Sequence, residues 1–163
     1  MERLIFKNAG MMVKVGFLVA VIVLFGATRV HAADIVDIAR SQIGQGEIGG
    51  DNQGPVVKKF THGQEVAWCA AFVAWTLHKA GKTTPYMLAA RSYLNVGTKV
   101  KNPKPGDVVV FTRKGGGHVG IVESVEGGRL VTIEGNVGKF PAKVKRMTYR
   151  LNNIPNLLGF IRV

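Results

Sequence analysis

The chain reads as one α+β domain in which N-terminal helices pack on a mainly antiparallel sheet of five or six strands. Three observations predict this. Apolar residues recur at helical spacing in the first part of the chain. From Asp107 onward the texture changes to short β-rich runs separated by glycine and proline. Helices first and strands afterwards is the order of an α+β fold, and no internal repeat or low-complexity tract interrupts it.

The elements follow in chain order. Arg3, Lys7 and Lys14 flank or precede an unbroken apolar stretch of thirteen residues, Val15 to Ala27, and Val30-His31-Ala32 has the small-x-small form of a cleavage site. Residues 1–32 therefore read as a signal peptide, with Met1, Met11 and Met12 as alternative starts. Thirteen apolar residues fall short of the roughly 20 that span a membrane, so membrane contact is expected only through the leader, with an uncleaved anchor as the alternative. The mature domain, residues 33–163, is expected to be secreted or periplasmic.

Ile35, Ile38, Ala39 and Ile43 follow Asp34 at helical spacing and Gly44 closes the run, which predicts a helix over Asp34 to Ile43. Residues 44–54 carry five glycines and read as a loop, without the spacing or the preceding strand of a phosphate-binding turn. Pro55 opens a short helix carrying Val56, Val57 and Phe60. Val66 to Ala80 is the central helix, apolar on nearly every side and so buried. A further helix is expected over Pro85 to Asn95, then a proline-bearing approach from Lys99 to Pro105. Strands are expected at Asp107 to Thr112, His118 to Ser124, Arg129 to Glu134, Lys143 to Tyr149 and Leu157 to Val163.

Removing residues 1–32 takes away Arg3, Lys7, Lys14, Arg29 and Glu2, which lowers the formal charge from +12 to +9 and leaves 131 residues. That length supports one core. The basic balance points to an anionic partner: cell-wall polymer, lipid headgroups or nucleic acid. Nucleic acid is disfavoured, because the chain has no zinc spacing, basic helix or aromatic RNA-binding signature. Lys139, Lys143, Lys145, Arg146 and Arg150 concentrate near the C-terminal end, where a solvated strand face accounts for any one of them. Cys69 is the only cysteine, so an internal disulfide is excluded and the thiol is either buried and inert or kept reactive. A structural zinc normally takes four Cys or His ligands, so neither metal nor cofactor is expected.

The residues that carry chemistry are Cys69, in Trp68-Cys69-Ala70-Ala71-Phe72-Val73, then His118 in Gly117-His118-Val119-Gly120, then Glu134-Gly135-Asn136. A thiol at a helix start, an imidazole and a carboxylate are the inventory of a cysteine hydrolase. The thiolate is the attacking species, and a cysteine of ordinary pKa, about 8.5, is mostly protonated at neutral pH. A helix N-terminus and a neighbouring imidazolium both favour the thiolate, and the imidazolium then has a proton for the leaving amine. A hairpin turning at Glu126-Gly127-Gly128-Arg129 with Gly127 at its centre gives paired residue numbers that sum to about 254. His118 then faces Asn136, with Glu134 its diagonal neighbour on the same face. A register slip of one residue would undo this.

Trp68, Glu47, Asn52 and Gly117 are the candidate substrate-binding residues around that centre. Gly115-Gly116-Gly117 is either a plain hairpin tip or a side-chain-free approach for a peptide substrate. His78 lies nine residues after Cys69 and so points to the opposite helix face, His62 sits in a loop-like run, and His31 falls in the leader.

With these residues in hand the chain resembles the CHAP family of cysteine amidases and endopeptidases, a branch of the papain-like cell-wall hydrolases. The resemblance spans about residues 34–163. It rests on Trp68 to Val73, Pro105-Gly106-Asp107-Val108-Val109-Val110-Phe111, Gly117 to Val122, Glu134-Gly135-Asn136 and Leu158-Gly159-Phe160. It implies a papain-like fold with the nucleophile at the N-terminus of the central helix, acting on amide bonds of peptidoglycan. It also implies Cys69 as nucleophile, His118 as general base and Glu134 as orienting acid, with Asn136 a further polar member. The run after Glu134 departs from some similar sequences, which leaves both Glu134 and Asn136 as candidates for the third position.

Two functions are therefore expected to compete. One is an exported, monomeric peptidoglycan amidase or peptidase. The other is a non-catalytic basic module that binds anionic cell-wall polymers, with a steep salt dependence and no thiol reactivity.

Overall fold

In a computed structural model that describes residues 32–163, the apolar stripes become three α-helices: α1 (Ala32–Arg40), α2 (Pro55–Thr61) and α3 (Cys69–Lys79). The β-rich runs become β1 (Thr98–Val100), β2 (Val108–Arg113), β3 (Gly116–Glu126), β4 (Arg129–Val137), β5 (Lys143–Arg150) and β6 (Leu157–Arg162). The expected leader falls outside the described residues, save for Ala32. No described helix is long and apolar enough to cross a membrane.

The six strands form one sheet in the order β1-β6-β2-β3-β4-β5, with every neighbouring pair antiparallel. The α+β class and the antiparallel sheet agree with the sequence reading. Alternation divides the sheet into two faces. Val108, Val110, Val119, Ile121 and Ile133 join the main core with Phe72, Val73 and Leu77 of α3, while Val109, Phe111, Val122, Leu130 and Phe160 form a smaller cluster. Burying such side chains contributes about 1.5–3 kcal/mol each, so the helix that begins at Cys69 is clamped by its whole apolar surface. Gly135 shows how close the clamp is: a Cβ there would lie 2.8 Å from Phe72 Cβ.

Three expectations need correction. Pro85 to Asn95 is not one helix; only a short 3-10 helix, Ala90–Asn95, forms there. The preceding segment takes no regular secondary structure and is held by contacts outside itself. His78 Nε2 lies 2.5 Å from the Thr84 carbonyl, and the Tyr86 hydroxyl donates to the Phe60 carbonyl. The central helix starts at Cys69 rather than Val66, with Trp68 as its N-cap. Finally, the stretch taken as an approach to the sheet supplies strand β1, whose three residues pair with β6 alone.

Candidate active site

The first α3 hydrogen bond runs from the Phe72 amide to the Trp68 carbonyl, 2.9 Å, and no side chain caps the helix. The amides of Cys69, Ala70 and Ala71 are thereby left for other use. Tyr93 fixes this end from the other side, its hydroxyl donating to the Ala70 carbonyl at 3.0 Å. Cys69 is 6% exposed and lines a cleft of about 510 Å³.

The second half of the site depends on strand register. At the turn, Glu126 pairs with Arg129 across Gly127 and Gly128, whose φ values of 55° and 74° suit a two-residue hairpin turn. That turn alone would set the register one residue away from the one expected. A β-bulge between Val122 and Ser124 inserts Glu123 as an extra residue and restores it, so that Gly120 pairs with Glu134. His118, two residues before Gly120 on the same face, then has Glu134 as its diagonal neighbour. Its Nε2 lies 2.8 Å from Glu134 Oε2.

Gly120 makes this contact possible. A Cβ on Gly120 would lie 2.5 Å from Glu134 Cγ, in the space the carboxylate stem uses to reach the imidazole. The other carboxylate oxygen, Oε1, accepts from the Thr132 hydroxyl at 2.6 Å and the Tyr149 hydroxyl at 2.9 Å. Glu134 is 2% exposed, and its three recorded hydrogen-bond partners are His118, Thr132 and Tyr149.

Electrostatics follow from this enclosure. Burial on its own would lower the pKa of His118. The nearby Cys69 sulfur, together with the hydrogen bond to Glu134 and its negative charge, outweighs it and pushes the imidazole up to about 9. Burial works against the Glu134 carboxylate too, but the bond to His118 and its charge, with the two hydroxyls, hold its pKa below the ordinary value. Tyr149 is raised, by burial first and then by Glu134, and so stays a donor. Nε2 is given to Glu134, so Nδ1 is the nitrogen that remains, and Arg113 Nη1 lies 3.1 Å from it.

His118 and Glu134 are thus bonded to each other, with the Cys69 sulfur near enough to act on the ring. Asn136 stands apart from the ring: its φ of 58° turns it aside, its Nδ2 donates to Asn52 Oδ1 at 3.3 Å, and both residues line the cleft. Gly117 also lines the cleft.

The other two substrate-binding candidates are corrected. Trp68 is fully buried, stacked on Phe60 with ring centroids 5.7 Å apart, so its ring belongs to the core. Glu47 is 4% exposed and its carboxylate is already engaged by Trp68 Nε1 at 3.1 Å, the Asn52 amide at 2.9 Å and the Ala142 amide at 2.7 Å. Glu47 shapes the cleft wall through Asn52 without facing the cleft. His62 stacks on Tyr86 at 4.0 Å, and His78 meets the same ring edge-on, both away from the thiol.

Sequence reasoning missed Thr132, Tyr149 and Arg113. Thr132 was detectable, as the residue two before Glu134 on one strand face. Arg113 follows from the β2–β3 pairing: Phe111 pairs with His118, so Arg113 shares their face, and its Nη1 lies 3.1 Å from His118 Nδ1. Tyr149 needed the β4–β5 register, which no local signal marks. Among the described residues no group of three or more His, Cys, Asp or Glu is placed to hold a metal ion.

Fold and geometry together define a class: a papain-like α+β domain whose helix-borne thiol faces a histidine–carboxylate pair. Within it, residues 61–136 match the family model of the CHAP domain, a segment that includes Cys69, His118 and Glu134, and this bears out the resemblance read from the sequence. Among curated proteins, none matches the chain.

Similar folds occur in solved structures. One is the Resuscitation Promoting Factor Interacting protein RipA, with 19% identity over 80% of this chain and 61% of that one, TM-score 0.53. A second is Ly7917, with 20% identity over 80% and 62%, TM-score 0.54. A third is the peptidoglycan hydrolase RipB from Mycobacterium tuberculosis, with 19% identity over 80% and 63%, TM-score 0.52. The chain thus spans about three fifths of the length of these proteins. At such identities the likeness is one of fold.

Proposed function

We propose that this chain is an exported peptidoglycan hydrolase that cuts an amide bond through a Cys69 acyl-enzyme. The observation that carries the reading is the bonded His118–Glu134 pair beside Cys69, a thiol that lines an open cleft. Residues 1–32 serve as the signal peptide and 33–163 as the catalytic domain, acting as a monomer outside the cytoplasm. The CHAP match supports the substrate class. RipB, of similar fold, is described as a peptidoglycan hydrolase, and RipA has been solved with changes at a cysteine, a histidine and a glutamate, the three residue types gathered here.

In this mechanism the Cys69 thiolate adds to the carbonyl carbon of the scissile amide. The developing oxyanion is met by the uncapped amides at the start of α3. His118 donates its Nδ1 proton to the leaving amine as the C–N bond breaks, which leaves a thioester on Cys69. A water then gives its proton to Nδ1 and its oxygen to the thioester, so that the carboxylic acid departs and the thiolate returns. Glu134 holds the ring through Nε2 and stabilises its charged form throughout. Whether the bond is the sugar-lactyl to L-alanine amide or one within stem or cross-bridge peptides depends on the groove around this centre.

Incubating purified sacculi with the full chain and with Cys69→Ala tests the reading. Soluble fragments released by the wild type should fall at least about 10³-fold in the variant, and mass spectrometry of those fragments names the bond. Equal release by both would end the proposal, and would leave the non-catalytic wall-binding module in its place.

A further inference from the structure

One wall of the cleft is cationic. Arg91, Arg113 and Lys114 line it together with Cys69, and Asp51 is the sole carboxylate among the lining residues described. Among the described residues, none of these three cations is ion-paired with a carboxylate. Arg91 lays its stem across Gly117, where a Cβ would lie 2.9 Å from Arg91 Cγ. The glycines at 115–117 add no side chains to obstruct the approach.

Arg113 stands in a conflicted place. Its Nη1 lies 3.1 Å from His118 Nδ1 and 3.4 Å from the Asn136 carbonyl. A guanidinium only donates, so the first contact requires a bare Nδ1 and a neutral ring. Cys69 and Glu134 favour the imidazolium, which carries a proton on that same nitrogen. One nitrogen cannot meet both demands, so Arg113 must leave Nδ1 before His118 can serve the sulfur.

Resting on the hydrolase reading above, we propose that Arg113, with Arg91 beside it, binds a free carboxylate of the substrate next to the scissile amide, and that this draws the guanidinium off His118. The substrate class is then an anionic peptide amide. The planar guanidinium fork matches a carboxylate with two parallel hydrogen bonds, and Lys114 adds attraction at longer range. A carboxamide in the same position has neither the charge nor the two acceptors, so it leaves Arg113 on the imidazole.

Two synthetic stem peptides, identical except that a glutamyl carboxylate beside the cleaved bond is free in one and amidated in the other, provide the test. The wild type should show kcat/KM at least about tenfold higher for the free acid, the worth of one charge-assisted contact. In Arg113→Gln that ratio should fall to about one, and Arg113→Lys, with charge but no fork, should restore part of it. Equal rates in the wild type would overturn the proposal, as would an Arg113→Gln variant that lowers both rates by one factor with the ratio kept. Calorimetric binding of the two peptides to the full chain carrying Cys69→Ala separates the two readings. Tighter binding of the acid with no cleavage by the wild type would sink the hydrolase and keep the carboxylate site. Equal binding of both peptides would sink the carboxylate site whatever the activity.

Discussion

Glu123 and Glu134 are both buried carboxylates on neighbouring strands, and both are held by nitrogen donors. Glu123, the bulged residue of β3, is gripped by Arg40 Nε at 2.6 Å and by Arg146, whose Nη2 donates at 2.7 Å. The Arg146 contacts first, and then those of Arg40, hold its pKa below the ordinary range. Glu134 meets an imidazole and two hydroxyls instead. Arginine keeps its proton at every working pH, so Glu123 ties α1, β3 and β5 together and can do nothing else. Histidine can give its proton up, so the same kind of pairing becomes a device for moving one.

The comparison is broken most sharply by making the same substitution at both sites. Glu134→Gln keeps the shape but removes the charge that supports the imidazolium. It should cut kcat about 10³-fold or more, by analogy with the loss of the carboxylate in serine-protease triads, with little change in melting temperature. Glu123→Gln should leave kcat within about twofold and lower stability by about 1 kcal/mol, since both arginines are half exposed and solvent screens them. Steady-state kinetics and thermal melts on the same two proteins decide it; equal kinetic losses would erase the distinction.

Gly120→Ala tests whether the Glu134 geometry, and not its mere presence, matters. The added methyl must displace Glu134 Cγ, so kcat should fall about tenfold to 100-fold in a folded protein. A crystal structure of the variant should show the bond between the carboxylate and the ring lengthened or lost.

A smaller effect is expected from pH. The folded-state pKa of His118 is raised from 6.5 to about 9, so the imidazolium and the stability it confers are fully present below about pH 6.5 and are lost as pH rises through about 9. Activity should therefore fall about tenfold per pH unit above that point. NMR titration of the imidazole should place its midpoint near 9, and Cys69→Ala should move it down, because burial remains while one source of support is gone. A midpoint unchanged by Cys69→Ala would mean that the sulfur does not act on the ring.

Much of this centre was legible because it rests on local rules. Cys69 precedes an apolar run that had to be a buried helix, and the two-residue period of a hairpin brought Glu134 beside His118. The register came out right through two compensating steps that no pattern announces. The turn is centred between Gly127 and Gly128, and the bulge at Glu123 takes up the difference. What stayed hidden is what depends on distant partners. Trp68 and Glu47 looked like cleft residues until Phe60, Asn52 and Ala142 were seen to engage them. The helix expected from Pro85 dissolved because Tyr86 and Thr84 bond to α2 and α3 across space. Strand β1 escaped notice because three residues beside a proline carry too little alternation to read.

The carboxylate of Glu47 joins the indole just before Cys69, the loop at Asn52 and the chain at Ala142. Those three segments are fastened to one another at a single point in the interior, and Asn52 carries that fastening to the cleft that Cys69 lines. One buried side chain therefore sets three stretches of backbone at once, so that losing it would loosen the far wall of the cleft without touching the sulfur.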